Sequence, residues 1–297
     1  MTNPPPSTPT TAEPAIVQTI RQRTSWRAYT GEPLGDATLE QLRTAIAELE
    51  TPFGNEPRFE ILITAESGSI DLRGMATYGV LRNPPAFLAG AIAPGPHALE
   101  DFAFAFESIV LRATELGLGT CWIAGSFSRS RFSRALRLGV DELLPAISPL
   151  GQPTSERGLR DRLMRFSGGS QNRKPWSELF FDGDIAQPLT EAKAGQAYAT
   201  ALEMVRLGPS ARNRQPWRIV RSDDGKHFDL YVFRESGLLT RVQPGGIDMA
   251  RLDAGIALCH FERTARALGL PGEWRADEAP AGKVPEAFEF IASWQIA

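Results

Sequence analysis

The chain has 297 residues, 42% of them hydrophobic, and a formal net charge of -3. This is enough apolar content for a sizeable core, and the mildly acidic balance excludes a basic field that would draw in nucleic acid. The 3 histidines (His97, His227, His260) and 2 cysteines are scattered, which leaves no zinc spacing and no convincing catalytic triad.

In chain order, residues 1–15 are rich in Pro and Thr without an apolar core. They read as a disordered tail, neither signal peptide nor anchor. Next comes Arg23-Thr24-Ser25-Trp26-Arg27-Ala28-Tyr29. Taken as helical, it projects Arg23 and Arg27 from one face with the Ser25 hydroxyl between them. Such a pair can grip a phosphate bidentately; a solvated basic turn is the plainer alternative. Asp36 is read as the N-cap of a helix running to about Glu50. Short strands are expected at Phe59–Ile63 and Ala86–Gly90, the second behind the stiff Pro84-Pro85. Between them Arg82 closes the stretch Tyr78-Gly79-Val80-Leu81.

Residues 101–118 make an apolar helix interrupted by Asp101, Glu107, Arg112 and Glu115, a core helix rather than a membrane span. It runs into Gly117-Leu118-Gly119-Thr120-Cys121-Trp122. The Arg-rich stretch 157–165 reads as a solvated face, with contact to a phosphate as the alternative. A further helix ends near Leu207, followed by Gly208-Pro209-Ser210-Ala211-Arg212-Asn213-Arg214-Gln215-Pro216-Trp217. Its small residues allow close backbone approach to a ligand, and Asn213 and Gln215 both donate and accept hydrogen bonds. A planar, edge-polar heterocycle requires such a pocket; the alternative is a helix-to-strand loop with Trp217 as core anchor. Phe228–Phe233 alternates as a half-buried strand, and 250–268 is a second long apolar helix. Cys121 and Cys259 fall at or within the apolar helices and read as buried free thiols of a reducing cytosol.

The chain also repeats itself. Gly117 through Trp122 aligns with Gly269-Leu270-Pro271-Gly272-Glu273-Trp274, with Gly, Leu and Trp in register, and the preceding helices align as well. Thr51 through Phe59 looks like a shortened, eroded copy of Gly208 through Trp217. Each half reads helix, loop, strand, strand, long apolar helix, Gly-Leu turn. The expected division is 16–181 for the first half and 182–297 for the second.

Together these segments resemble the nitroreductase family of FMN-dependent oxidoreductases, in a tandem-duplicated, pseudo-dimeric form, over roughly residues 16–275. The likeness rests on Arg23-x-Ser25-x-Arg27, Pro209-Ser210-x-x-Asn213-x-Gln215-Pro216-Trp217, Gly117-Leu118-Gly119-x-x-Trp122, Pro149-Leu150-Gly151 and Arg173-Lys174-Pro175. One departure is that the Pro-Trp element comes about 185 residues after the arginine element, a displacement that duplication accounts for. The resemblance implies an α+β three-layer sandwich with a mainly antiparallel sheet. It implies FMN held by Arg23, Thr24, Ser25, Arg27 and Arg173 from one half and Pro209, Ser210, Ala211, Asn213 and Gln215 from the other. Ile123, Ala124 and Gly125 are carried over with them. Arg82 stands where relatives have Lys and would stabilise reduced flavin, or is simply solvated. The expected activity is reduction of nitro or quinone-type small molecules by NADH or NADPH in ping-pong turnover, in the cytoplasm, by a monomeric pseudo-dimer with one flavin. Flavin storage without turnover, or other flavin chemistry on the same fold, are the competing readings.

Overall fold

The computed structural model describes residues 13–64, 81–125, 127–154, 172–234, 246–277 and 284–297. The expected tail up to residue 12, the Tyr78-Gly79-Val80 element and the basic stretch 157–165 lie outside them. The first half contains α1 (Ala15–Gln22), α2 (Asp36–Ala47), β1 (Arg58–Ile63), β2 (Ala86–Ala91), α3 (Ala98–Glu115), α4 (Arg129–Ala135) and β3 (Ile147–Leu150). An arm with α5 (Trp176–Leu179), β4 (Phe180–Asp182) and β5 (Asp184–Pro188) leads into the second half. There follow α6 (Glu191–Ala194), α7 (Gln196–Leu207), β6 (Trp217–Arg221), β7 (His227–Phe233), α8 (Met249–Ala267), β8 (Glu273–Arg275) and β9 (Phe288–Gln295).

Two sheets result. The first has the order β1-β2-β3 and is antiparallel throughout; β2 is buried along its whole length. The second has the order β5-β4-β6-β7-β9-β8, and only β4 and β6 run parallel. The expected boundary at 181/182 falls inside β4, so the arm leaving the first half closes onto the sheet of the second. Helices α3 and α8 lie between the sheets. Phe102, Phe106, Ile109 and Val110 of α3 share a core with Phe59 and Leu88 of the first sheet. Leu258, Phe261 and Ala265 of α8 share another with Ile219, Leu230 and Trp294 of the second. Being covered on both sides, each helix is apolar on most faces, and each buried Phe or Leu contributes roughly 1.5–3 kcal/mol. The α+β layered architecture expected from the sequence is the one found.

The halves repeat in hydrogen bonds as well as in elements. At a constant offset of 152 residues (Gly117 to Gly269), the two long helices end in the same way. Gly117 and Gly269 have φ of 76° and 70°, in the left-handed region where glycine carries little steric cost. Leu118 N donates to Ala113 O and Leu270 N to Ala265 O, both at 2.9 Å, satisfying carbonyls the helix leaves open. Where the helices cross, Glu107 pairs with His260, and their offset counterparts Cys259 and Ser108 pair with each other at 3.4 Å. Reciprocal pairing of this kind marks a two-fold relation.

Two local expectations change. Asp36 is the first helical residue of α2 rather than its N-cap, which is Gly35, and the helix stops at Ala47. Residues 23–29 are not helical: α1 ends at Gln22 and Arg23 turns to extended backbone, φ -55° and ψ 126°. The chain then runs alongside two others, pairing Ser25 with Thr120 and Ala28 with Arg82. Main-chain bonds to flanking segments prevail over the short helical pattern, and Trp26 packs over Gly119.

Candidate functional site

Arg23 arrives at the α3/α8 crossing from the C-terminus of α1. Its side chain is only 6% exposed, its Nε stands 3.9 Å from Glu107 Oε1, and that Nε has no hydrogen-bond partner. Arg173, in the arm between the halves, lies close enough to feel it. Burial first, then the charges of Arg23 and Arg206, push the Arg173 guanidinium down to about 10. Guanidinium groups from separated segments are thus gathered here, Arg23 beside Glu107 and Arg206 paired with Glu203 at 2.7 Å, in a setting that a further anion would stabilise.

Arg173 also reaches the second half. It donates to Asn213 Oδ1 at 2.5 Å and to Leu207 O at 2.9 Å. The 208–217 loop that it meets is tightly held. Ser210 Oγ accepts from Gln215 N at 2.9 Å, and both oxygens of the buried Asp253 accept from Ala211 N, at 2.9 and 3.1 Å. Arg212, Asn213 and Gln215 all have positive φ, 52°, 55° and 50°. Such residues in left-handed backbone cost roughly 1–2 kcal/mol apiece, so the loop shape is imposed by its anchors.

The amides are used differently from the sequence expectation. Gln215 is 2% exposed and spent on structure: Oε1 accepts from Lys174 N at 2.8 Å, and Nε2 donates to Asn172 O and Asn213 O. Asn213 accepts from Arg173 and donates to Asn172 O at 2.7 Å. Gln215 therefore clamps the arm onto the loop instead of presenting an edge to a heterocycle. Partly buried Pro209, Ser210 and Ala211 keep the loop surface that a ligand can approach.

The remaining candidates are placed as follows. Thr24, Ser25 and Arg27 continue from Arg23 on the extended segment, and Arg82 N donates to Arg27 O at 2.8 Å. The Arg82 side chain is exposed, beside this segment. Ile123 is a correction: it is buried with Tyr29 and Phe87, and its N–H and C=O both pair with Ile147. Ala124 O accepts from Arg129, and Gly125 is exposed. Neither cysteine is disulfide-bonded, both are buried, and burial pushes the Cys259 thiol up to about 12. No metal-holding cluster occurs among the described residues. A cleft of about 610 Å³ opens elsewhere, between α1, α2, α3 and α8, and contains none of these candidates.

Sequence reasoning missed Asp253, Asn172, Arg206, Glu107 and His260. Asp253 was readable: at the repeat offset it falls on Asp101, which in the first half accepts from Phe53 N at 3.0 Å and Asn55 N at 2.9 Å. A loop anchored on a helix carboxylate is therefore common to both copies.

No helix of the described residues is long and apolar enough to cross a membrane. No curated protein matches this chain. Among solved structures the chain is similar to a nitroreductase from Thermotoga maritima, with 20% identity and a TM-score of 0.58 over 95% of this chain and 93% of that one. Smaller structures align with about half of it. A nitroreductase with bound FMN from Bacteroides fragilis has 24% identity and TM-score 0.39, covering 49% of this chain and 91% of its own. An FMN-dependent nitroreductase from Clostridium difficile has 21% identity and TM-score 0.39, covering 47% and 88%. The family model described as "Putative TM nitroreductase" matches residues 15–265, most of the sequence, and the chain belongs to that nitroreductase family.

Proposed function

We propose that the chain is an FMN-dependent oxidoreductase that passes reducing equivalents from NADH or NADPH to nitro or quinone-type small molecules, in ping-pong turnover. The observation that carries this reading is the buried convergence of Arg23 and Arg173, with an orphaned Nε on one and a depressed guanidinium on the other. A phosphate dianion answers both, because charge-assisted bonds offset the desolvation of each cation. Bound FMN supplies the redox chemistry, and the protein supplies position and charge. Arg23, Arg27 and Arg173 hold the phosphate end, with Thr24 and Ser25 as neutral donors. Main chain from Pro209 to Asn213 faces the ring, while Gln215 and Asp253 fix the loop's shape. Arg82 stands ready to stabilise negative charge on the reduced ring.

The Arg23–Arg173–Asn213 grouping draws on both halves of one chain, so we place one site in a monomeric pseudo-dimer working in the cytoplasm. Absorbance titration of purified protein should saturate at one FMN per 32.5 kDa chain. Saturation at two, or at one per two chains, would reject the single-site reading. A double Arg23→Ala, Arg27→Ala variant should lose about two orders of magnitude in FMN affinity, and unchanged affinity would remove the phosphate assignment. NADH and NADPH oxidation with nitroaromatic and quinone acceptors then tests turnover; a yellow protein without acceptor-dependent oxidation would refute the proposed activity.

A further inference from the structure

We propose that Glu107 and His260 are positioning residues that aim Arg23 at the phosphate while leaving its charge uncancelled. The inference rests on the FMN reading above. Glu107 sits in the middle of α3 and is fully buried, with both oxygens engaged. Oε2 accepts from Trp122 Nε1 at 2.6 Å, and Oε1 lies 2.9 Å from His260 Nε2 and 3.9 Å from Arg23 Nε. His260, also fully buried on α8, has its Nδ1 2.8 Å from Met204 O. A carbonyl oxygen only accepts, so Nδ1 carries a hydrogen. The contact between Nε2 and Glu107 Oε1 then holds one further proton. With that proton on the imidazole the pair is cation and anion; with it on the carboxyl both are neutral. Either way the pair sums to zero.

The consequence falls on Arg23. A lone carboxylate at 3.9 Å would neutralise the guanidinium and compete with a phosphate for it. A neutral pair aligns Arg23 without that competition. The pair also ties the phosphate end to the loop. Met204 lies one turn before Gly208, and a Cβ added at Gly208 would stand 3.7 Å from His260 Nδ1. Arg23 of the first half and the entry to the 208–217 loop of the second therefore share one buried support.

The repeat supplies an internal control. At the counterpart positions the fold places Cys259 against Ser108, uncharged partners at 3.4 Å. The crossing of α3 and α8 thus forms on uncharged partners on that side, where the partly buried Arg263 donates to Ser108 Oγ at 3.2 Å, and the glutamate and histidine occur beside the more deeply buried Arg23.

Titrations with FMN and with riboflavin, which lacks the phosphate, test the proposal by flavin fluorescence. Glu107→Gln should weaken FMN binding about tenfold and leave riboflavin within about twofold, and it should add nothing in an Arg23→Ala background. His260→Asn, which keeps an amide donor for Met204 O, should give the same phosphate-selective loss, and serves if the Glu107 variant fails to fold. Equal losses for the two flavins, or no loss for FMN, would overturn the positioning role while leaving the FMN reading intact. A wild-type protein that binds neither flavin would sink that reading itself, and this one with it.

Discussion

Replacing Asp253 with alanine should loosen the 208–217 loop and reduce flavin affinity, whereas the same change at Asp101 should cost stability alone. Asp253 is buried and accepts from Ala211 N with both oxygens. A net hydrogen bond is worth about 0.5–1.5 kcal/mol, and leaving the Ala211 N–H without its acceptor costs about 1–3 kcal/mol. Water reaching the freed N–H recovers part of that, leaving a net loss of roughly 1–2 kcal/mol, or about 2–8 °C in Tm. With one of its anchors lost, the loop holds Arg212, Asn213 and Gln215 in left-handed backbone less firmly, and the contact of Asn213 with Arg173 loosens. FMN affinity should fall about tenfold or more. Asp101 bonds Phe53 N, Asn55 N and Asn55 Nδ2, so Asp101→Ala should destabilise at least as much while changing FMN affinity less than about twofold. Burial raises Asp253 well above the ordinary carboxylate range, so the native state holds its proton more tightly than the unfolded chain. That contribution is complete at acid pH and is lost as pH rises through the raised value, so the Asp253→Ala deficit should shrink toward alkaline pH. Thermal melts of the flavin-free protein and FMN titrations of both variants decide it. Undiminished FMN affinity in Asp253→Ala, or an equal loss in Asp101→Ala, would refute the reasoning.

At the crossing of the central helices, a methyl group on Gly255 would overlap the Glu100 carbonyl and stand 2.7 Å from Ala103 Cβ. Gly255→Ala should therefore cost about 1–3 kcal/mol by overpacking, and an unchanged Tm would show the crossing to be looser than described. Both cysteines are buried and the Cys259 thiol is pushed up to about 12, so iodoacetamide at neutral pH should modify neither until the chain is denatured, as read by intact mass. Arg58 grips Glu142 bidentately at 2.7 and 2.6 Å and lowers its pKa to about 2. Stability from that pair is present above the ordinary carboxylate range and lost as pH falls toward about 2. The pair is partly exposed, so Glu142→Gln should remove no more than about 1 kcal/mol, seen as a flatter acid limb in the melting profile.

The long helices were legible in the sequence because each is covered on both sides and its composition shows it. Strands β1, β2 and β7 matched their expected places to within a residue or so, being apolar runs bounded by turn formers. What failed was local structure decided at long range. Nothing in Arg23 through Tyr29 reveals that Thr120, Arg82 and Pro153 will flank it, and those neighbours make it extended. Likewise β4 has three residues, too few to carry a pattern, and exists because β6 offers a parallel edge. The same holds at the site. Gln215 has the chemistry of a ligand reader and of a clamp, and only the arm 41 residues away at Lys174 decides between them. His260 stands alone in the sequence because its partner Glu107 is 153 residues distant, although a glutamate inside an apolar helix already asks for a buried partner.

The two copies separate what the fold requires from what the site requires. Each keeps an aspartate at the same offset beneath its loop, because a partly buried N–H needs an acceptor wherever the loop is packed. Asn55, the amide surviving in the first loop, is spent within its own half on Asp101 and Pro96 O. Asn213, in the second, is spent on the arm that brings Arg173. The cations are unequally shared. A buried guanidinium pair costs stability unless an anion joins it, so a copy that binds nothing gains by losing it. The first loop, closed onto its own helix, has no such cluster joined to it among the described residues, and the second loop has Arg173 with Arg23 beside it. A buried arginine cluster joined to one loop and not, among the described residues, to the other is not something the shared fold requires. It is what a single anion site built across both halves would leave.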